Sequence, residues 1–291
     1  MPGRSAGTAA SLSGALRSEQ TALTEPGSPV CPPEWLAMRE PADAAARAPE
    51  LVEQVRAHLT GAPMVIRDLG CGAGSMARWL APRLPGPQRW ILHDRDPDLL
   101  GLAAASVPSP AETRHGDVTA LRAQDLAGTS LVTASALLDL FTADEVEALA
   151  AACVDAGCAA LLALSVTGRV VIAPSDPLDA AFEAAFNAHQ RRCVDGRRLL
   201  GPDAGAAVVA AFDRRGAAVT ARPSPWRLGH GQPELAEEWL RGWIGAACAQ
   251  QPDLEAHAAD YLSRRLAARD AGELRIVVGH VDVLALPGGT R

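Results

Sequence analysis

A chain of 291 residues, 48% of them hydrophobic, is long enough to bury the core of one α/β domain with additions. Its formal charge of −7 supplies no basic field for nucleic acid or for an anionic membrane surface. The six cysteines, Cys31, Cys71, Cys153, Cys158, Cys193 and Cys248, form no C-x-x-C pair and no His/Cys cluster at zinc spacing, so they read as reduced thiols of a cytoplasmic protein without a metal.

Residues 1–32 are rich in Ser, Gly, Ala, Thr and Pro and offer little apolar surface to offset the cost of ordering, which predicts a disordered tail with no secretory signal. From Trp35 to Leu59 the pattern is helical, with breaks at Pro41 and Pro49. This segment, about residues 35–60, is expected to cap a ligand cleft. Arg39 and Arg47 lie on it; either is placed to pair a bound carboxylate, though solvated helix arginines are the commoner case.

The stretch Val65-Ile66-Arg67-Asp68-Leu69-Gly70-Cys71-Gly72-Ala73-Gly74-Ser75 follows: a β-branched run, an acid, then glycines at alternate positions before a helical pattern. It reads as strand, tight loop and helix start. Glycine is needed where backbone bends through positive φ or comes too close to a ligand for a Cβ. A dinucleotide fingerprint would put its third small residue at Ser75, and Asp68 would repel a pyrophosphate. A second strand, Trp90-Ile91-Leu92-His93-Asp94, ends in an acid about 20 residues after Gly74, where a carboxylate takes ribose hydroxyls. Asp96 competes for that role, but it precedes Pro97 and suits a helix cap, which leaves Asp94 with Arg95 beside it.

A short third strand leads to His115-Gly116-Asp117-Val118, and Ser130 to Ser135 forms a fourth. Thr142 to Glu145 has the form of a capping box. The apolar run from Ala148 to Val166 is divided by Asp155 and Gly157, so it is read as a helix end, a turn and a buried fifth strand, Ala159–Val166, rather than a membrane span. Helices are expected at Leu178–Arg192, from Gly201-Pro202 toward a sixth strand near Val219, and at Glu234–Gln250 and Leu254–Arg269, before a last strand at Leu274–Leu286. Alternation of strands and helices predicts a parallel sheet, and its ligand lies beyond the carboxyl ends of the strands. Asp68 to Gly74, Asp94, Asp117 and Ser135 to Asp139 all fall at such ends.

The acid-x-Gly-x-Gly-x-Gly pattern of Asp68, Gly70, Gly72 and Gly74 resembles motif I of the class I S-adenosylmethionine-dependent methyltransferases. The resemblance covers Met64 to Val166 by motif and the chain to Leu286 by order of elements. It implies a Rossmann-like, doubly wound α/β fold with a mostly parallel seven-stranded sheet, a helical N-terminal cap and helical insertions after strands 5 and 6. Residues 33–291 would then form one domain, with substrate lids at about 174–198 and 231–270. It further implies S-adenosylmethionine as cofactor, bound through Asp68, Gly70, Cys71, Gly72 and Gly74, with Asp94 and Arg95 at the ribose, Asp117 and Val118 at the adenine, and Ser135 at the fourth strand's end. No Asn/Asp-Pro-Pro-aromatic tetrapeptide follows that strand, which with the acidic balance favours a small-molecule acceptor over nucleic acid.

Methyl transfer needs alignment of the acceptor and exclusion of water, and a base only where the acceptor must lose a proton. His189 is the candidate base, although Phe182 and Phe186 share its helical face and a core role is the competing reading. Asp139 stands where the family places acceptor-side residues; a turn acid is the alternative. Arg191, Arg192, Arg197 and Arg198 suit an anionic acceptor or a solvated loop, and Trp239 and Trp243 suit helix packing. The expectation is a methyltransferase acting on a small molecule; a non-catalytic sensor or partner protein that binds the cofactor or its demethylated product is the alternative, and a nucleotide-dependent oxidoreductase is disfavoured by Asp68 and Ser75.

Overall fold

The computed structural model describes residues 31–59 and 63–288; apart from Cys31 and Pro32, the tail expected at 1–32 lies outside the described residues. The first helix, α1 (Pro33–Ala46), and the second, α2 (Pro49–His58), are separated at Arg47 and Ala48. Pro49 begins α2, where its missing N–H costs nothing. Pro41 does not break α1 as expected; the helix runs through it at the cost of one internal hydrogen bond.

Next come β1 (Met64–Leu69), α3 (Ser75–Leu80), β2 (Gln88–Asp94), α4 (Pro97–Ser106), β3 (Ala111–His115) and β4 (Leu131–Ser135). Then follow α5 (Ala143–Ala156), β5 (Ala159–Ala173), α6 (Asp179–Gln190), the pair β6 (Cys193–Val194) and β7 (Arg197–Arg198), and α7 (Ala204–Asp213). The chain continues through β8 (Ala218–Pro223), β9 (Trp226–Leu228), α8 (Pro233–Gln250), α9 (Glu255–Asp270) and β10 (Arg275–Leu286).

The main sheet runs β3-β2-β1-β4-β5-β10-β8. Strands β1 to β5 are parallel, and β10 is antiparallel to both neighbours. The order reverses between β1 and β4, which opens a crevice at their carboxyl ends. One face is covered by α2, α3 and α4, which bury Leu51, Val55, Trp79, Leu80 and Leu100 against Ile66, Trp90, Leu131, Leu161 and Leu284. On the other, α5 and α7 bury Leu149, Ala150, Val208 and Phe212 against Leu69, Val132, Leu162 and Val283. Side chains buried this completely contribute roughly 1.5–3 kcal/mol each, so the two layers hold the crevice rigidly.

The start of α5 is the capping box expected: Thr142 Oγ1 accepts from Glu145 N at 3.2 Å, and Glu145 Oε2 accepts from Thr142 N at 2.9 Å. The helix ends at Gly157, φ 70°, and the chain turns directly into β5.

The fifth strand is the main departure from expectation. It continues past Val166 to Ala173, because Val170, Val171 and Ile172 pair with Val278, Val277 and Ile276 of β10. Thr167, Gly168 and Arg169 interrupt the apolar run without ending the strand; Gly168 takes φ 76°, and the pairing slips by two residues between Val278 and His280. The resulting two-stranded ribbon reaches beyond the parallel sheet, and β9 extends it by pairing Leu228 with Ile276. Its buried face carries a third core, in which α6, α8 and α9 place Phe182, Trp243 and Tyr261 against Ile172, Ile276 and Val278. Trp239 and Trp243 stack within it, 5.4 Å apart at 17°. No helix among the described residues is long and apolar enough to cross a membrane.

Candidate active site

The crevice is built on the loop from Gly70 to Gly74. All three glycines hold positive φ, at 60°, 51° and 87°, and a Cβ on Gly70 would stand 2.9 Å from Leu137 Cδ1. Gly74 N donates to Cys71 O at 2.8 Å to close the turn, while Arg78 N donates to Gly74 O at 3.0 Å to begin α3. Cys71 is buried, and its thiol is held protonated by desolvation first and then by Asp68 and Asp94. It packs in the loop and is no nucleophile.

Asp94 braces this loop from the end of β2. Its Oδ2 accepts from Gly72 N at 2.8 Å and its Oδ1 from Asp96 N at 3.0 Å. Asp96 instead caps α4, accepting from Asp98 N at 2.8 Å and Leu99 N at 3.3 Å. Arg95 between them is exposed, and its carbonyl pairs with His115 Nε2 at 2.9 Å.

Asp68, at the end of β1, is 1% exposed. Thr133 Oγ1 donates to its Oδ1 at 2.7 Å, yet Oδ2 is buried without a partner. Burial pushes the carboxyl up to about 7, against the pull of Thr133 and Arg47 and with the help of Asp94. Arg47 is the second buried charge, 2% exposed, with Nη2 donating to Ser75 Oγ at 3.2 Å and to Ser135 Oγ at 3.1 Å. The adenine-side candidates are open: Asp117 is exposed and accepts from Thr119 N at 2.9 Å, and Val118 is half-buried against the α5 side of the core.

The N-terminal segment closes over this crevice. Leu36 lies 3.2 Å from where a Cβ of Gly72 would stand, and Glu40 pairs with Arg78 of α3 at 2.5 Å. Behind them Asp282 of β10, a buried carboxylate, accepts from Ala48 N at 2.9 Å, Leu164 N at 2.8 Å and Ser224 Oγ at 2.5 Å. One side chain thus ties the α1–α2 joint to the sheet.

Across the crevice Asp139 lies half-buried in a 3₁₀ turn, Leu138–Leu140. Desolvation raises its carboxyl pKa, while its own backbone, Arg39 and Arg192 oppose the rise. The Cys31 thiol, raised mainly by burial, also feels Arg39, Asp139 and Asp94, so the chain's first described residue sits among the groups of both sides. His189 is half-buried at the end of α6, and no described residue hydrogen-bonds its ring. Desolvation and the adjacent Arg192 push it down to about 4, which keeps it neutral. Both candidates for chemistry therefore border Arg192. The four loop arginines divide: Arg191 pairs with Asp203 at 2.6 Å and Arg197 with Glu145 at 2.8 Å, and Arg198 is exposed. Arg192 donates to His189 O at 3.0 Å and has no carboxylate within ion-pair distance among the described residues.

Residues 66–156 match a family described as a methyltransferase domain. The match runs from β1 to the end of α5 and so takes in the glycine loop and the parallel strands around it. Domains of this family use S-adenosylmethionine. The glycine loop, Asp94 and Asp117 all fall inside the matched segment, and Arg47, His189 and Asp282 lie outside it. The fold of the chain is similar to that of the cyclopropane synthase MmaA2 from Mycobacterium tuberculosis, with 15% identity over 81% of this chain and 83% of that one and a TM-score of 0.44. It is similar also to the YcgJ protein from Bacillus subtilis, with 15% identity over 83% and 100% and a TM-score of 0.47. A third similar structure is a methyltransferase from Geobacter sulfurreducens in complex with S-adenosyl-L-homocysteine, with 15% identity over 87% and 98% and a TM-score of 0.40. No curated protein matches the chain.

Among the described residues no group of three or more His, Cys, Asp or Glu side chains could hold a metal ion. Sequence reasoning passed over Arg47 as a buried group, read Cys31 only as one of six reduced thiols, and gave Thr133 and Asp282 no role. None carries a motif; each matters because the fold surrounds it.

Proposed function

We propose that the protein transfers the methyl group of S-adenosylmethionine to a small-molecule acceptor. The observation that carries this reading is the convergence on one sheet edge of four positions far apart in sequence: Asp68 with the glycine loop, Asp94, Asp117 and the Ser135–Asp139 turn. The residues present suit the cofactor. Buried Asp68 Oδ2 lacks a donor and is matched by an ammonium; Asp94 suits ribose hydroxyls; Asp117 suits the adenine amino group, with Val118 and Arg95 alongside; Gly70, Cys71, Gly72 and Gly74 leave room for close backbone approach, with Ser135 opposite.

The bound cofactor supplies an electrophilic methyl on a sulfonium, open to in-line displacement. The chain's residues then have two tasks. The cap at about 35–60 and the insertions at about 174–198 and 231–270 exclude water and orient the acceptor. His189, neutral and without a hydrogen-bond partner, takes the acceptor's proton at its free ring nitrogen, with Asp139 positioning the acceptor group. We place the protein in the cytoplasm.

Calorimetric titration with S-adenosylhomocysteine, with NAD(H) and NADP(H) in parallel, tests the cofactor. Binding of the first alone supports the reading, and binding of a nicotinamide cofactor alone replaces it with an oxidoreductase. An acceptor screen with methyl-labelled S-adenosylmethionine then tests turnover; binding with no transfer to any acceptor would make the protein a non-catalytic sensor.

A further inference from the structure

The ribbon made by the far halves of β5 and β10 has two faces, and one of them is left uncovered. Ile172 and Ile276, which pair across it, point into the third core. Successive side chains of a strand alternate, so the neighbouring pair Val171 and Val277 stands on the opposite face, and β9 sets Arg227 beside Val277 there. On that face Val171 is 48% exposed, and Thr167, Arg169 and Arg227 are exposed as well. Helix α7 reaches only its near end, where a Cβ on Gly205 would stand 2.6 Å from Val281 Cγ1.

The uncovered face is a trough of about 520 Å³. Its floor is β10, where Val277 and Val281 flank Gly279. A Cβ on Gly279 would collide with Thr167 Oγ1 and stand 3.3 Å from Arg169 Cβ, so the floor carries a notch where a side chain would otherwise rise. Arg169 and Val171 of β5 form one bank, and the stretch from Arg222 through Pro223 and Pro225 to Arg227 forms the other. Two strand spacings of roughly 4.8 Å separate β5 from β9, which sets the banks about 10 Å apart, the width of an α-helix.

Both banks are cationic. Neither Arg169 nor Arg227 has a carboxylate within ion-pair distance among the described residues, and Arg222 meets Glu50 only at 3.9 Å. In a chain of formal charge −7 this is a local patch of the opposite sign. An apolar floor between two cationic banks complements a segment whose apolar stripe has carboxylates on both flanks. A small amphiphile with one anionic head would satisfy one bank only. A two-fold contact between copies of the chain would set these arginines against their own counterparts. A flat bilayer would meet Val171 on the bank and leave the notch at Gly279 empty.

We propose that this trough docks an acidic amphipathic α-helix of another protein. An apolar side chain of that helix fills the notch at Gly279, and carboxylates on its two flanks meet Arg169 and Arg227. The site lies on the face of the ribbon opposite Phe182, Trp243 and Tyr261 and does not depend on the cofactor reading.

The test uses the full chain and two labelled helical peptides of about 18 residues with the same leucine stripe, one flanked on both sides by glutamates and the other by glutamines. In fluorescence anisotropy the glutamate peptide should bind at least roughly 10-fold more tightly at about 0.05 M salt, and the difference should narrow toward about 0.5 M. Arg169→Glu and Arg227→Glu should each weaken the glutamate peptide by roughly 10-fold, with circular dichroism unchanged. Should either variant fail to fold, hydrogen exchange on the wild type decides: amides of Val277 to Val281 should exchange more slowly with the glutamate peptide bound. Equal affinity for the two peptides, indifference to both substitutions, or unaltered exchange at Val277 to Val281 overturns the proposal. So does tighter binding to phosphatidylglycerol vesicles that the same substitutions abolish, which gives the face to a membrane. A dimer in sedimentation velocity that Val171→Asp dissociates overturns it too, because the face then belongs to a second copy.

Discussion

Replacing Asp68 by Asn should stabilise the ligand-free protein at alkaline pH while weakening its hold on the cofactor. Burial raises this carboxyl from 3.8 to about 7. Between those values the folded state binds more protons than the unfolded, so the group's contribution to stability falls as pH rises through the window and levels off above 7. At 1.36 kcal/mol per pH unit, the three-unit rise places a ceiling of about 4 kcal/mol on the cost of the ionised form. Asn keeps an oxygen for Thr133 Oγ1 but buries an amide without an acceptor, at about 1–3 kcal/mol. Near pH 8 the variant should therefore gain about 1–3 kcal/mol, and that advantage should shrink by roughly 3 kcal/mol on going down to pH 5, where wild-type Asp68 is protonated in the fold. Urea denaturation of both proteins at pH 5, 6, 7 and 8 measures the difference. A stability difference that stays constant across that range would refute the argument, because it would mean that Asp68 carries the same charge in both states.

Asp94→Ala should weaken S-adenosylhomocysteine binding by about 1–3 kcal/mol in calorimetry while the protein stays folded; unchanged affinity removes Asp94 from the ribose. Asp282→Ala leaves the buried N–H groups of Ala48 and Leu164 without acceptors and should cost about 2–5 kcal/mol in chemical denaturation, with protease cleavage appearing first near the α1–α2 joint. Once an acceptor is in hand, His189→Ala should lower kcat with cofactor affinity intact. Its wild-type acid limb should lie near pH 4 rather than 6.5, and a limb near 6.5 would assign the proton to another group.

The parallel half of the fold was legible because its signals are local. Alternate glycines, acids closing apolar runs and the Thr142–Glu145 box each reflect a backbone requirement that few residues meet. The ribbon was not, because Thr167-Gly168-Arg169 looks like a strand end until β10 supplies the partner that carries the chain onward. Likewise Trp226–Leu228 lies between Pro225 and Gly229 and becomes a strand only beside Ile276. The hairpin of β6 and β7 did have a local signal, Asp195-Gly196 with φ of 50° and 77°, which suits a tight two-residue turn. At the site, glycines and strand-end acids could be picked out by position, whereas Arg47 looks like any helix arginine. Only the packing of Trp79, Ser75 and Ser135 around it marks it as buried.

The aromatic layer of Phe182, Trp243 and Tyr261 hangs from the ribbon of β5 and β10, not from strands β1 to β4. Glycines stand in both strands of that ribbon, at Gly168 and Gly279. Both are packed too closely for a side chain: a Cβ on Gly168 would stand 2.7 Å from Asn187 Oδ1 of α6, and one on Gly279 would collide with Thr167 Oγ1 across the ribbon. The layer is thus carried by strands other than those that end at the glycine loop, so a substitution among its aromatic side chains leaves the pairing of β1 with β2 and β4 untouched.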